Sequence, residues 1–422
     1  MIGLGESYFS AYALFLGANN FQMGVLTSLP PLIAGLSQFK TLRLMKLVPS
    51  RRKLVCLGVF FQALSFFPIV LVYYFNQIRI EIYIALVIFY FTSNAIIGPV
   101  WNSWMGDLVR VSQRGIYFGR RNRIITLGTF LSMVLAGLIL KYSVSRNLEY
   151  QGFIVIFGLA FVARIWSLYN LFIKYDPPYK IPEPSPNGFL IFIRGLYKKN
   201  SNLLILYMSF VNFAVFISAA YFTPIMLKEY HFNYLVYTLI VGGAALTKFL
   251  TSSFWGEICD KLGARQVLTT CGFLITFTTV PWLFSQNPWV LFLAQCYTGF
   301  VWAGYELSTF TFLLDTTEAE ERAELSSYLN ILTSTGGFLG GMCGALMFVH
   351  RSNTGPREYF LVLFASIVMR FVAFALVGWR LKEVRVLGQI KTSEVYFKAS
   401  GFKSAMGLTS KLVVFAKRRK QV

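Results

Sequence analysis

The chain has 422 residues, of which 56% are hydrophobic, 17% aromatic and only 14% charged, whereas a soluble domain carries about 25% charged residues. This composition excludes a soluble enzyme and makes a lipid bilayer the expected solvent. The net charge of +21 would suit nucleic acid, but the basic residues gather on alternate loops between apolar runs, so no nucleic-acid partner is expected.

Apolar runs of about twenty residues recur along the chain, each long enough to cross a bilayer as a helix, and they lack the strict alternation of outer-membrane strands. Twelve are counted. In the first half they centre near Tyr8, Ala34, Ser65, Tyr90, Ser132 and Phe161. In the second half they centre near Asn212, Val241, Phe277, Tyr297, Leu339 and Ala365. Span 1, from Ile2 to about Gly17, is roughly 24 Å long at ~1.5 Å per residue, short of a ~30 Å hydrocarbon core. The expectation is that the chain begins upstream of Met1, or that the bilayer thins around this helix.

The loop after span 2 carries Lys40, Arg43, Lys46, Arg51, Arg52 and Lys53, and the loop after span 4 carries Arg110, Arg114, Arg120, Arg121 and Arg123. The opposite loops hold few basic residues, such as Arg79 and Lys228. Positive loops are retained inside, so both termini are expected in the cytoplasm. A proline-rich stretch around Pro184 cannot be a span and divides the chain. The expected organisation is a six-helix half over 1–174, a linker over 175–200, a second half over 201–380 and a basic tail over 381–422. The tail's run Lys417–Lys420 suits anionic headgroups. The fold expected is an all-α polytopic membrane protein with twelve transmembrane helices in two pseudo-symmetric halves. It would be a multi-pass protein of the plasma membrane, a bacterial inner membrane since no Asn-x-Ser/Thr sequon occurs. A monomer is expected.

The halves repeat in register. Asp107, Arg114, Asn122 and Gly128 recur 208 positions later as Asp315, Arg322, Asn330 and Gly336. Leu131 and Leu138 recur as Leu339 and Leu346 in the same register. Such repeats mark transporters whose substrate site lies where the halves meet. The loop between spans 8 and 9 reads GEICDKLGAR. Its Gly256, Asp260, Gly263 and Arg265 resemble the glycine–aspartate–glycine–basic motif of the major facilitator superfamily. The two Asp-x6-Arg units, Asp107 with Arg114 and Asp315 with Arg322, resemble the acidic-x6-arginine motif of related sugar porters. The first-half loop departs from that pattern: Leu42 and Lys46 stand where glycine and aspartate would align, and only Arg51 or Arg52 survives at the basic end. The resemblance implies two halves rocking about a midplane site. Carboxylate–arginine pairs at the inner mouth act as latches, worth only ~0–1 kcal/mol each at a surface, so a network is needed.

Charged residues inside spans are costly unless wet or paired. Arg164 and Arg370 are expected to snorkel to the inner headgroups from the outside of the bundle. Lys248 and Glu306 could pair within the second half. Glu6, in the span that lines the cavity in this family, is the candidate proton carrier or cation site. Asn94, Trp101, Asn102, Asn212, Trp302 and Tyr305 are further cavity candidates, because amides and indoles suit a small organic molecule.

The two histidines, the five cysteines and the lack of a phosphate-binding loop give no catalytic, metal or cofactor site and no ATPase engine. The expected function is secondary active transport of a small organic solute by alternating access, coupled to an ion, the proton first. The alternatives are efflux of amphipathic compounds, or a transporter-like protein that no longer transports.

Overall fold

A computed structural model describes residues 1–48, 50–75, 78–109, 114–177, 192, 195, 199–317, 322–349 and 356–382. The linker around Pro184 and the tail beyond Lys382 lie outside the described residues.

The described residues are helical, with no strand among them. The first half holds α1 (Phe9–Phe15, after a 3-10 turn Glu6–Tyr8), α2 (Asn20–Ser37), α3 (Arg51–Tyr74), α4 (Arg79–Leu108), α5 (Arg114–Ser145) and α6 (Glu149–Phe172). The second half holds α7 (Asn200–Glu229), α8 (Tyr234–Leu262), α9 (Ala264–Phe284), α10 (Pro288–Thr316), α11 (Arg322–Val349) and α12 (Pro356–Leu376). Nine helices among the described residues are long and apolar enough to cross a membrane.

Local chemistry fixes the helix starts. Gln22 N donates to Asn19 Oδ1 at 2.8 Å and Asn19 N donates to Gln22 Oε1 at 3.1 Å, a reciprocal cap that opens α2. This cap moves the middle of α2 several residues ahead of the expected Ala34. Asn233 and Asn287 cap α8 and α10 through Val236 N and Trp289 N, and Pro288 occupies the first turn of α10. Ser50 caps α3. Gly263 separates α8 from α9 at φ 88°, a conformation open to glycine at little cost.

The repeat is written in these boundaries. Asp107 and Asp315 are the penultimate residues of α4 and α10, and Arg114 and Arg322 are the first residues of α5 and α11. The two halves meet along α2 with α11 and along α5 with α8. The α2–α11 seam is close because it is lined with small residues. A Cβ built on Gly341 would fall 2.4 Å from Ser28 Cβ, and one on Gly24 would fall 2.7 Å from Ala345 Cβ. Gly341→Leu should therefore destabilise the fold by about 1–3 kcal/mol, read as a lower Tm of the detergent-solubilised protein. Gly128→Ala, where a Cβ meets nothing within 4 Å, should leave the Tm unchanged or raise it slightly.

Candidate functional site

The two ends of the bundle differ. The end bearing Arg51, Asp107 and Arg265 is called the basic end, and the other the far end. Several bonds tie the halves together on the far side. Lys228 Nζ donates to Ala18 O at 3.2 Å, Tyr359 OH to Asn20 Oδ1 at 3.1 Å and Tyr234 OH to Glu149 Oε1 at 2.5 Å. Deeper in, Tyr8 OH lies 2.5 Å from Thr238 Oγ1, and Tyr8 and Tyr237 pack edge to face at 6.2 Å. Toward the basic end, α2 and α11 stay together, with Asn330 Nδ2 donating to Gln38 Oε1 at 3.3 Å. There α5 and α8 present exposed residues instead: Arg120, Asn122 and Ile124 on one, Ser252, Ser253 and Glu257 on the other. Among the described residues, the halves are bonded together at the far end and open toward the basic end between α5 and α8.

At the centre of this opening stands an ion pair. Lys248 is the middle residue of α8, and its Nζ lies 2.5 Å from Glu306 Oε2 on α10, with the two side chains 43% and 49% exposed. At about 100° per residue, Lys248 sits about 160–180° around α8 from the exposed Leu239 and Leu250. It sits about 80° from Thr238, which faces the first half. Lys248 thus faces the space between the halves, and Leu239 and Leu250 face lipid. An exposed charge at mid-bilayer costs at least ~2.5–3.5 kcal/mol in hydrocarbon, so this pair requires a water-filled cavity.

Trp302, Glu306 and Phe310 follow one another at four-residue spacing on α10, and Phe310 is 61% exposed. The 208-residue register maps them onto Asn94, Gly98 and Asn102 of α4. Asn94 and Asn102 are exposed, and a Cβ at Gly98 would meet nothing within 4 Å. The remaining aromatic and amide candidates lie elsewhere. Trp101 is stacked beneath the Arg121 guanidinium at 4.1 Å. Asn212 donates to Met208 O in its own helix. Tyr305 is fully buried against Tyr207 in the core of the second half.

Three charged residues depart from expectation. Glu6 is turned into the first half: Tyr90 OH of α4 donates to Glu6 Oε2 at 2.9 Å, and Arg164 of α6 lies within electrostatic reach. A Cβ on the adjacent Gly5 would come within 2.6 Å of Phe66 on α3, so there is no room for α1 to rotate Glu6 outward without repacking. Arg164 does not snorkel but donates to Gln62 Oε1 of α3. Arg370 does not snorkel either. It is 4% exposed and donates to Thr278 Oγ1 at 2.7 Å, Ile275 O at 3.3 Å and Ser218 Oγ at 3.3 Å. Both arginines sit on the inward faces of α6 and α12, where neutral acceptors take up their terminal nitrogens while each Nε stays buried without a partner among the described residues.

At the basic end, Arg51 Nη1 lies 2.6 Å from Asp107 Oδ2, and it also donates to Ser103 Oγ at 3.0 Å. Arg51 Nη2 reaches Pro177 O at 3.4 Å. In the second half Arg265 Nε donates to Leu381 O at 2.5 Å. A basic residue at the head of α3 or α9 thus holds the backbone that leaves α6 or α12. Asp260 is exposed, and no ion pair is found for it among the described residues. Gly256 is not sterically required, since a Cβ there would meet Leu307 at an ordinary 3.8 Å. The side chains of Arg114 and Arg322 lie outside the described residues. Sequence reading left the choice between Arg51 and Arg52 open and missed Gln62. The signal for Gln62 was its amide standing alone in an apolar run.

Two sets of helices repeated in register, nine of the described ones long and apolar enough to cross a membrane, with an ion pair half-way along α8, have the make-up of a membrane transporter and not of an enzyme. The family profile of the Major Facilitator Superfamily matches residues 2–246 and again 208–415, and the chain belongs to that family. Solved structures share the fold. A bacterial homologue of the iron transporter ferroportin, in an inward-facing state, superposes with TM-score 0.66 at 14% identity, over 90% of this chain and 94% of that one. A mutant of the nucleoside transporter NupG gives 0.65 at 12% identity, over 89% and 96%. A bacterial homologue of the human lysosomal transporter Spinster gives 0.59 at 15%, over 90% and 92%. No curated protein matches the chain.

The Arg51–Asp107 pair generates a prediction. Arg51 is 1% exposed in its side chain, so Asp107→Asn strands a buried cation. The expected loss is about 1–3 kcal/mol, seen as a lower Tm in detergent. Asp260→Asn should leave the Tm where it is.

Proposed function

We propose that the protein is a secondary active transporter that moves a small organic solute by alternating access, with net transport driven by a proton gradient. The observation that carries this reading is the half-exposed Lys248–Glu306 pair between the halves. A solute entering from the open end reaches both charges, and so does a proton. Protonation of Glu306 removes the charge that holds Lys248 and frees its ammonium for an anionic group of the solute. Proton and solute binding then favour each other, which is the coupling that a symporter needs. Trp302 and Phe310 supply flat apolar walls, and Asn94 and Asn102 supply neutral donors and acceptors opposite them.

Glu6 is the weaker proton carrier on this reading. It is enclosed by α3, α4 and α6, whereas Glu306 opens on the cavity. The test is uptake into proteoliposomes against a panel of solutes, with and without a pH gradient. Glu306→Gln should lose accumulation driven by the gradient and retain solute exchange, because exchange needs no proton release. Glu6→Gln should keep gradient-driven uptake. Normal accumulation by Glu306→Gln would remove this residue from the coupling. Wild-type protein that neither accumulates nor exchanges any solute of the panel would overturn the transport reading.

The basic end is proposed to face the cytoplasm of a bacterial inner membrane, since Lys and Arg are retained on that side. Lys46 and Asn147 are exposed at the basic and far ends. A membrane-impermeant thiol reagent added outside intact cells should label Asn147→Cys and spare Lys46→Cys. The reverse pattern would invert the topology.

A further inference from the structure

A second site lies on the rim of the first half, away from the central cavity. Between α3 and α6 at the basic end is a groove of about 610 Å³. Its floor is apolar, formed by Leu57 and Phe60 on one side and Leu168 and Phe172 on the other. Its lip is cationic, formed by Arg52 and Lys53. From Lys53 to Phe60 the groove runs seven residues along α3, roughly 10 Å into the membrane at ~1.5 Å per residue.

The lip is built, not incidental. Arg52 Nη1 donates to Phe172 O at 3.4 Å and Lys174 O at 3.3 Å, so the end of α6 fixes the guanidinium at the groove mouth. Its Cζ stands 5.7 Å from the Phe172 ring centroid. Among the described residues no carboxylate answers either charge. Arg52 and Lys53 form no ion pair among the described residues, and Asp176 Oδ2 instead accepts from Ser50 Oγ at 2.6 Å. Beside the groove, Arg51 is already neutralised by Asp107.

An apolar channel that opens sideways to the bilayer, with two cations that pair with no carboxylate among the described residues, has the chemistry of one ligand. We propose that this groove binds a single anionic glycerophospholipid. The phosphate sits between Arg52 and Lys53, and an acyl chain runs down the groove. A zwitterionic lipid brings its own cation to the same place and forfeits part of the attraction. The site is separate from solute binding and does not depend on the substrate or the coupling ion.

The test is lipid retention by the full-length protein. Purified protein is equilibrated with equal amounts of phosphatidylglycerol and phosphatidylcholine of matched chains, then stripped and weighed intact by native mass spectrometry. Wild-type protein should retain one phosphatidylglycerol with at least fivefold preference. Lys53→Gln, an exposed change, should cut that retention several-fold, and Arg52→Gln with Lys53→Gln about tenfold. Leu57→Trp leaves both cations in place and should abolish retention by filling the groove. Equal retention of the two lipids by wild-type protein overturns the proposal, and that comparison stands even where a variant fails to fold. Unchanged phosphatidylglycerol retention in Lys53→Gln and in Leu57→Trp overturns it as well. Displacement of the lipid by a neutral amphiphile as readily as by phosphatidylglycerol would make the groove a generic apolar binder and overturn the charge recognition.

Discussion

A charge at the middle of a bilayer must be wet or have its hydrogen bonds met inside the protein, and this requirement organises the whole molecule. The chain meets it in three ways. Arg370 is buried, and neutral oxygens of α7 and α9 accept from its two terminal nitrogens. Arg164 and Glu6 share a polar knot with Gln62 and Tyr90 inside the first half. Lys248 and Glu306 are paired yet half exposed, an arrangement that at mid-bilayer calls for water beside them. The first two arrangements brace the back of each half. The third opens onto the path through the membrane.

The duplication explains why the bracing looks alike and the cavity does not. Arg164 and Arg370 occupy similar places in the last helix of each half, 206 positions apart and so two residues off the common register, and each reaches the third helix of its own half. The register of 208 itself aligns Asn94, Gly98 and Asn102 with Trp302, Glu306 and Phe310. The copies have kept a common frame and diverged along the faces that meet the cavity. One wall carries amides and a glycine, the other a carboxylate and rings. On the proposed reading, the site between these walls would be polar on one side and charged on the other.

Much of the fold is legible in the sequence because its signals are one-dimensional. Apolar runs, proline breaks, basic loops and a constant register give the helices, the halves and the expected orientation. Facing is a different matter. A membrane helix is apolar all round, so periodicity does not say which side turns inward. For this reason Arg164 and Arg370 read as lipid-side residues, and Glu6 as a cavity residue, although packing turns all three into the halves. Tyr305 reads as a cavity residue on its chemistry, yet it packs against Tyr207. The partner of Asp107 lies 56 positions earlier in the chain, beyond any local motif. Lys248 and Glu306 were within reach of sequence reading because two opposite charges in neighbouring spans have few other ways to be accommodated.

The seam between α2 and α11 has a mechanical meaning. It is close at the far end, where Gly24 meets Ala345, and still close at the basic end, where Gly35 meets Ser334. Across the bundle, α8 meets the first half from the far end to the middle, through Tyr234 with Glu149 of α6 and through Thr238 with Gly137 and Gly242 with Phe130 of α5. On the proposed alternating access, a body joined along one edge and parted along the other would turn like a book about its spine. Displacement then grows with distance from the spine, so the same small rotation that leaves the glycine edge nearly in place sweeps α5 and α8 farthest apart.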